Sequence, residues 1–192
     1  MNLIHEVING IDLKFETLPG LFSPGSVDSG TLAMLSSADF TSDDKVLDLG
    51  CGYGVVGIYA AKLIGDKNIT MSDFDERAVK QASKNAELNG VGNIRAIVSK
   101  GFSNIDDKEY TIILSNPPYH EDFSVPKEFI EKGFNRLCIG GRMMMVTKRE
   151  AWYKNKLTAI FGGTRVEHIN GYCVFTSVKK DMKYANKHDK GK

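Results

Sequence analysis

A chain of 192 residues with a formal net charge of +1 fits one folded domain and is long enough for a substantial core. Its apolar content of 42% and charged content of 26% are ordinary for a soluble globular protein. No apolar run approaches the roughly 18 residues of a membrane span, and the first residues lack the basic-then-apolar pattern of a signal peptide. We therefore expect a cytoplasmic protein that has no membrane partner.

The cysteines argue against two further classes. Cys51, Cys138 and Cys173 are odd in number and show no CxxC spacing. This pattern predicts neither a disulfide framework nor a zinc site, and we expect no metal.

The small net charge hides an asymmetry along the chain. Residues 1–126 hold 10 Lys and Arg against 18 Asp and Glu, a balance of −8, whereas residues 127–192 hold 15 against 6, a balance of +9. Part of the basic excess lies in a polar segment from about Lys179 to Lys192, which we expect to be mobile. The rest is compatible with a polyanionic partner or with solvated helix faces.

The first predicted element is a β-hairpin. Two short extended runs between Val7 and Thr17 flank Asn9 and Gly10, the dipeptide that favours a tight turn. We interpret residues 1–20 as a hairpin extension. A loop and a short helix near residues 31–37 follow it.

Strands and helices then alternate along the chain. The predicted strands are 45–49, 69–72, 94–98, 110–115, 142–147, 165–169 and 172–178. The predicted helices are 55–64, 76–89, 126–138 and 151–161, the third of them opened by Pro126 and stopped by Gly140 and Gly141.

This alternation predicts an α/β fold: a seven-stranded, mostly parallel sheet with one antiparallel edge strand, helices on both faces and a short N-terminal β-hairpin appendage. Asn170 and Gly171 would join the last two strands as an antiparallel hairpin. We expect residues 1–180 to form a single domain and residues 181–192 a flexible basic tail.

A glycine-rich loop, DLGCGYGVVG, joins the first main strand to its helix. Gly52, Gly54 and Gly57 satisfy GxGxxG, which allows a nicotinamide dinucleotide. Two acids favour another nucleoside: Asp48 would repel a pyrophosphate but could pair with a cationic amine, and Asp73 could accept both ribose hydroxyls. A ligand with a ribose and an ammonium but no phosphate is S-adenosylmethionine.

The tetrapeptide NPPY, Asn116 to Tyr119, follows the strand that ends near Ser115. The side-chain oxygen of Asn116 and the main-chain oxygen of Pro117 are acceptors that could take both hydrogens of one NH2 group. Pro118 biases Pro117 towards an extended conformation, and Tyr119 offers a face for stacking. A proline turn that closes the strand is the competing interpretation.

With these motifs the chain resembles the class I S-adenosylmethionine-dependent methyltransferases, which have a Rossmann-like fold. More narrowly, it resembles the small methyltransferase domain of the enzymes that methylate the 2-amino group of guanine in 16S ribosomal RNA. The resemblance rests on four segments: PGLFSPGSVDSGT from Pro19 to Thr31, DLGCGYG, SDFDERAV from Ser72 to Val79, and SNPPYH from Ser115 to His120.

The resemblance implies a cofactor site for S-adenosylmethionine. Its implied residues follow the first three main strands: Asp48, Gly50, Cys51, Gly52, Asp73, Phe74, Gly101 and Phe102. Lys100 departs from the family pattern, since many relatives have at that place an Asp or Asn that meets the adenine amine and lysine cannot accept a hydrogen bond.

The resemblance also implies a substrate site. Asn116 and Pro117 would hold the amine, Tyr119 would stack on the base, and Phe22, Asp28, Pro118 and His120 would line the substrate pocket. The expected partner is ribosomal RNA or the small ribosomal subunit. Four alternatives remain at this point: a glutamine methyltransferase of release factors, an adenine amino methyltransferase, a non-catalytic RNA-binding module and a dinucleotide oxidoreductase.

Overall fold

The computed structural model describes residues 2–118 and 122–185. It opens with the predicted hairpin, in which β1 (Asn2–Ile8) pairs antiparallel with β2 (Ile11–Thr17). Asn9 and Gly10 both have positive φ, 48° and 84°. A two-residue turn with φ > 0 at both positions matches the twist of the flanking strands, which confirms the predicted tight turn.

A mixed sheet forms the centre of the described chain. Its seven strands are β3 (Val46–Leu49), β4 (Ile69–Asp73), β5 (Arg95–Val98), β6 (Tyr110–Ser115), β7 (Leu137–Thr147), β8 (Arg165–Ile169) and β9 (Tyr172–Val178), in the order β5-β4-β3-β6-β7-β9-β8. The first five strands of this order pair in parallel. Strand β9 pairs antiparallel with β7 and with β8. The predicted antiparallel edge is therefore the hairpin formed by β8 and β9. Its antiparallel strand is β9, which lies one position inside the edge strand β8.

Helices cover both faces of the sheet, as predicted. They are α1 (Ser29–Ser36), α2 (Val55–Ile64), α3 (Glu76–Leu88), α4 (Ser124–Arg136) and α5 (Glu150–Phe161). Alternate strand residues enter two cores: Val46, Ile112 and Val146 pack with α1, α2, α3 and the hairpin, whereas Leu47 and Met145 pack with α4 and α5. None of the helices within the described ranges is long and apolar enough to cross a membrane.

The hairpin is more closely integrated than the predicted appendage. Its inward side chains, including Leu13 and Phe15, are buried in the same core as α1–α3. Asn85 of α3 donates from Nδ2 to the main-chain oxygen of Glu16 (3.0 Å) and accepts from its N–H (2.8 Å). Asn89, one turn later, makes the same pair of bonds with Lys14 at 2.7 and 3.0 Å. Two side-chain amides thus bind the free edge of β2 as a neighbouring strand would.

Two predicted boundaries around α4 are wrong. The helix begins at Ser124, so Pro126 occupies its third position, where a missing N–H costs little because the first-turn N–H groups have no intrahelical partner. It ends at Arg136, and β7 begins at once and includes Gly140 and Gly141. A Cβ on Gly141 would lie 2.8 Å from the main-chain oxygen of Tyr110, so glycine here permits a close strand approach rather than a helix stop.

Two residues of the segment predicted to be mobile contact the rest of the domain. Lys179 is buried and donates from Nζ to the main-chain oxygen of Leu137 at 2.6 Å. Tyr184 packs edge-on against Phe134 and donates to the main-chain oxygen of Glu131 at 3.0 Å. Most of the predicted tail, residues 186–192, lies outside the described residues.

Candidate active site

A cavity of about 660 Å³ lies at the carboxyl ends of β3, β4, β5 and β6. In parallel α/β sheets this edge collects the loops that bind ligands. The cavity is lined by the predicted residues Asp48, Gly50, Cys51, Gly52, Asp73, Phe74, Gly101, Phe22, Asp28, Asn116, Pro117 and Pro118. The fold therefore brings both predicted halves of the site together.

The glycine loop after β3 is positioned by its main chain. The N–H groups of Gly50 and Cys51 both donate to the carbonyl of Ser72 at 2.8 Å. Gly50 and Gly52 have φ of 78° and 54°, which glycine adopts without strain. The loop is thereby tied to β4, and α2 begins directly behind it.

Asp48 is a buried acid at the floor of the cavity, 2% exposed. Its Oδ2 accepts from the N–H of Gly57 at 2.9 Å. Burial, reinforced by the negative charge of Asp73, raises the pKa of Asp48 to about 7. A cation placed beside this carboxylate would offset that cost of burial, so the cavity floor favours a positively charged ligand group.

Asp73 ends β4 and holds the two neighbouring loops. Its Oδ2 accepts from the N–H of Gly52 at 2.9 Å, and its Oδ1 accepts from the N–H of Asp75 at 3.0 Å. A carboxylate offers about four lone-pair sites, so both oxygens retain capacity for ligand hydroxyls. Phe74, the next residue, is 76% exposed and presents an aromatic face beside them.

The loop after β5 reaches the cavity in part. Lys100 is exposed and Gly101, with φ of 55°, lines the cavity next to it. Phe102 does not line the cavity; it is 3% exposed and packs edge-on against Phe129. The placement of Phe102 at the cofactor stays a prediction, and Phe129 of α4 provides aromatic lining on that side of the cavity.

Asn116 is oriented by two side chains at the start of α1, one from its N-cap residue and one from its first turn. Its Nδ2 donates to Oδ1 of Asp28 at 2.7 Å and to Oγ1 of Thr31 at 3.0 Å. A carboxylate can only accept, so the nitrogen of the amide must face Asp28. Both amide hydrogens are then used, and Oδ1 is the atom of Asn116 left to accept from a ligand.

Asp28 has a second task. Its Oδ1 also accepts from the N–H of Thr31 at 3.0 Å, which caps the N-terminus of α1. One carboxylate thus fixes the start of the helix and the rotation of the Asn116 amide. Phe22, half-exposed, lines the cavity from the preceding loop.

Tyr119 and His120, predicted to stack on the base and to line the substrate pocket, lie outside the described residues. Sequence reasoning missed Thr31, Tyr53, Glu128 and Phe129, which also line the cavity. Thr31 stands in the quoted PGLFSPGSVDSGT segment, but its role depends on a contact 85 residues along the chain, for which local sequence carries no signal.

A mixed sheet with this strand order and a glycine-loop cavity at its carboxyl edge defines a Rossmann-like methyltransferase fold. The model of the methyltransferase small domain family matches residues 12–176. The chain belongs to this family.

The chain also resembles individual proteins along most of its length. The chain is 33% identical over 164 residues to the ribosomal RNA small subunit methyltransferase C of Serratia proteamaculans, covering 83% of this chain and 47% of that protein. It is 34% identical over 141 residues to YbxB of Bacillus subtilis, covering 72% of this chain and 70% of that protein. The chain spans about half the length of the methyltransferase C proteins it matches.

A solved structure shows the same fold. The 16S rRNA N2 G1207 methyltransferase RsmC of T. thermophilus, in complex with AdoMet and guanosine, superposes with a TM-score of 0.84 at 25% identity. The match covers 93% of this chain and 50% of that chain.

Proposed function

We propose that this protein transfers a methyl group from S-adenosylmethionine to the 2-amino group of a guanine in 16S ribosomal RNA. The observation that carries the proposal is the amide of Asn116. Asp28 and Thr31 hold its nitrogen and leave its oxygen as an acceptor, in the same cavity as the glycine loop, Asp48 and Asp73.

The cofactor half of the cavity fits S-adenosylmethionine in chemistry and size. Asp48 is a buried carboxylate whose negative charge a methionine ammonium would compensate. Asp73 has acceptor capacity for the ribose hydroxyls, and the exposed ring of Phe74 offers a face for adenine. Gly50 and Gly52, with Cys51 between them, let the ligand approach the loop closely. A volume of about 660 Å³ is within the range of cofactor pockets.

The substrate half would position an amine. When bound, S-adenosylmethionine supplies a methyl group on a sulfonium sulfur; the methyl carbon accepts the nitrogen lone pair while its bond to sulfur breaks. Asn116 Oδ1 and the carbonyl of Pro117 would accept the two N–H groups of the base and aim its lone pair, which is otherwise delocalised into the ring. The methylated nitrogen then loses a proton to water. Most of the rate enhancement would come from this positioning.

The remaining roles follow the same division. Pro118 and Phe22 would line the base pocket, and Tyr119 would stack on the base, an interaction worth about 1 to 3 kcal/mol in nucleic-acid sites. His120 would lie at the same pocket. Residues 1–180 would act as a single methyltransferase domain, with residues 1–20 as its hairpin and 181–192 as a basic tail.

Guanine in ribosomal RNA is supported by the named relatives and by the guanosine bound to the similar T. thermophilus enzyme. The positive balance of residues 127–192 provides charge for a polyanionic partner. Ribosomal RNA or the small ribosomal subunit is therefore the proposed partner, and the cytoplasm is the proposed place of action.

The test is methyl transfer from labelled S-adenosylmethionine to four acceptors: small ribosomal subunits, naked 16S RNA, a release factor and adenine-containing DNA. Digestion to nucleosides should reveal N2-methylguanosine from the ribosomal substrate. Label on a release-factor glutamine or on adenine alone would overturn the proposed substrate. Binding of RNA without any transfer, together with no heat of binding for S-adenosylmethionine in titration calorimetry, would indicate a non-catalytic module.

A further inference from the structure

Three potential metal ligands meet at the far edge of the sheet. His168 of β8 and Cys173 of β9 are directly opposite partners in the antiparallel register. Glu150 begins α5, and its Oε2 lies 2.8 Å from Nε2 of His168 and 3.8 Å from Sγ of Cys173. All three ligand atoms lie within 4.8 Å of one another.

The topology explains why residues so far apart in sequence converge. Strand β7 pairs with β9 so that Thr147 faces Cys173. After Thr147 the chain turns, and Thr147 Oγ1 accepts from the N–H of Arg149 at 3.1 Å. Helix α5 then starts at Glu150, which lies beside Cys173. A cysteine, a histidine and a glutamate are thereby placed around one point by two strand pairings and a helix start.

We propose that Glu150, His168 and Cys173 form a binding site for Zn²⁺ or a similar transition-metal ion. Thiolate, imidazole and carboxylate are the ligands zinc uses, whereas a thiolate disfavours Mg²⁺ and Ca²⁺. Zinc bond lengths imply ligand atoms about 3.3 to 3.6 Å apart in a tetrahedral site. The two distances from Glu150, 2.8 and 3.8 Å, bracket this range, and the third pair of ligand atoms lies within 4.8 Å. Side-chain shifts of up to about 1 Å, within the rotamer freedom of Glu and His, create the site.

The accessibility of the three side chains suits a loadable surface site. The His168 side chain is 65% exposed and that of Glu150 is 38% exposed, which gives an ion a path inward. Cys173 is 7% exposed and forms the inner wall. Binding displaces the thiol proton to solvent and leaves the fourth position of the ion to water. Among the described residues that line the methyltransferase cavity, none of the three ligands occurs, so this site is distinct.

Sequence spacing alone predicted no metal, because the cysteines show no paired motif. The site becomes visible only through strand register. An ion here would connect β8, β9 and α5, and we expect it to stabilise that edge. Tyr172, the neighbour of Cys173 in β9, packs its ring over Gly30 of α1. The edge of the sheet that the ion would stabilise therefore contacts the helix that orients Asn116.

The test is titration of chelator-treated protein with ZnCl2. We expect one equivalent to bind with a dissociation constant on the order of 1 to 10 μM, weaker than a closed four-ligand site. Cys173→Ser and His168→Ala should each weaken binding by at least about tenfold. Cys138→Ser, a free cysteine elsewhere, is the matched control and should bind as the unmodified protein does.

Cobalt substitution identifies the ligand. A thiolate-to-Co²⁺ charge-transfer band should appear in the unmodified protein and in Cys138→Ser, and should be absent in Cys173→Ser. Should Cys173→Ser fail to fold, the exposed His168→Ala decides on its own. No binding tighter than about 100 μM, or binding unchanged by Cys173→Ser or by His168→Ala, would overturn the proposal. Neither measurement depends on methyl transfer.

Discussion

The two halves of the cavity are held in place by different kinds of bond. On the glycine-loop side, main-chain N–H groups of Gly50, Cys51 and Gly52 bind the end of β4. On the Asn116 side, side chains of α1 hold an amide that follows β6. Changes of backbone space should therefore damage the first half, whereas changes of side-chain partners should damage the second.

The largest expected effect breaks the substrate half alone. Asn116→Ala removes the acceptor oxygen, and we expect methyl transfer to fall at least about 10²-fold, by analogy with loss of one preorganised catalytic hydrogen bond. Affinity for S-adenosylmethionine should stay the same in calorimetry, because the glycine loop does not depend on Asn116. Asn135→Ala, an exposed amide on α4, is the control. Unchanged turnover in Asn116→Ala would contradict the proposed mechanism.

A second substitution should damage the cofactor half of the cavity by filling space that only a glycine leaves open. In Gly57→Ala the new Cβ would lie 2.5 Å from Cγ of the buried Met71. We expect the free energy of unfolding in urea to drop by about 1 to 3 kcal/mol through overpacking, with weaker cofactor binding. Gly163→Ala has no atom within 4 Å of its Cβ and should stay within about 0.5 kcal/mol. Equal stability of the two variants would refute the space argument.

A smaller effect separates the two tasks of Asp28. Asp28→Ser keeps a good N-cap for α1 but its hydroxyl is too short to hold Asn116, so transfer should fall about tenfold, the loss expected for one bond to a charged group. The free energy of unfolding should change little. Thr31→Ser retains its hydroxyl and serves as the control. Normal transfer by Asp28→Ser would show that Asn116 needs no carboxylate partner.

The smallest effect is a pH dependence of cofactor binding. The pKa of Asp48 is raised from 3.8 to about 7, so the folded chain holds this proton more tightly than the unfolded chain does. Its contribution to stability is complete below about pH 4 and is lost as pH rises through about 7.

A cationic ligand favours the charged carboxylate, so affinity for S-adenosylmethionine should rise severalfold between about pH 5.5 and 7.5. Asp48→Asn keeps an acceptor for the Gly57 N–H and should show a flat profile. Calorimetry at three pH values measures both proteins. A parallel rise in Asp48→Asn would assign the titration to another group.

Most of the architecture was readable from sequence because it depends on local chemistry. Periodicity placed β6, α2, β8 and β9 at their observed bounds, and the Asn-Gly pairs marked two tight turns. The errors concern features that depend on tertiary contact. Gly140 and Gly141 suggested the end of a helix. They belong instead to β7, because main-chain hydrogen bonds join both glycines to Lys179, just after β9.

The site was predictable to the same extent. Strand ends placed Asp48, Asp73 and Asn116 in one cavity, since parallel strands bring their carboxyl ends together. The burial of Phe102 was not predictable, because a residue beside a loop can point into either core and its packing against Phe129 depends on a distant segment. Local patterns do not encode contacts between distant segments. The hydrogen bond from Asn116 to Asp28 and the pairing of His168 with Cys173 were therefore not predictable.

The hydrogen bonds between β2 and the side chains of α3 also protect the protein against aggregation. An open strand edge is a template for pairing with other chains, and natural proteins cover such edges. Here the covering groups are the amides of Asn85 and Asn89. Substitutions at these two positions would leave a row of unpaired main-chain groups on β2, so their damage should emerge first as aggregation between molecules.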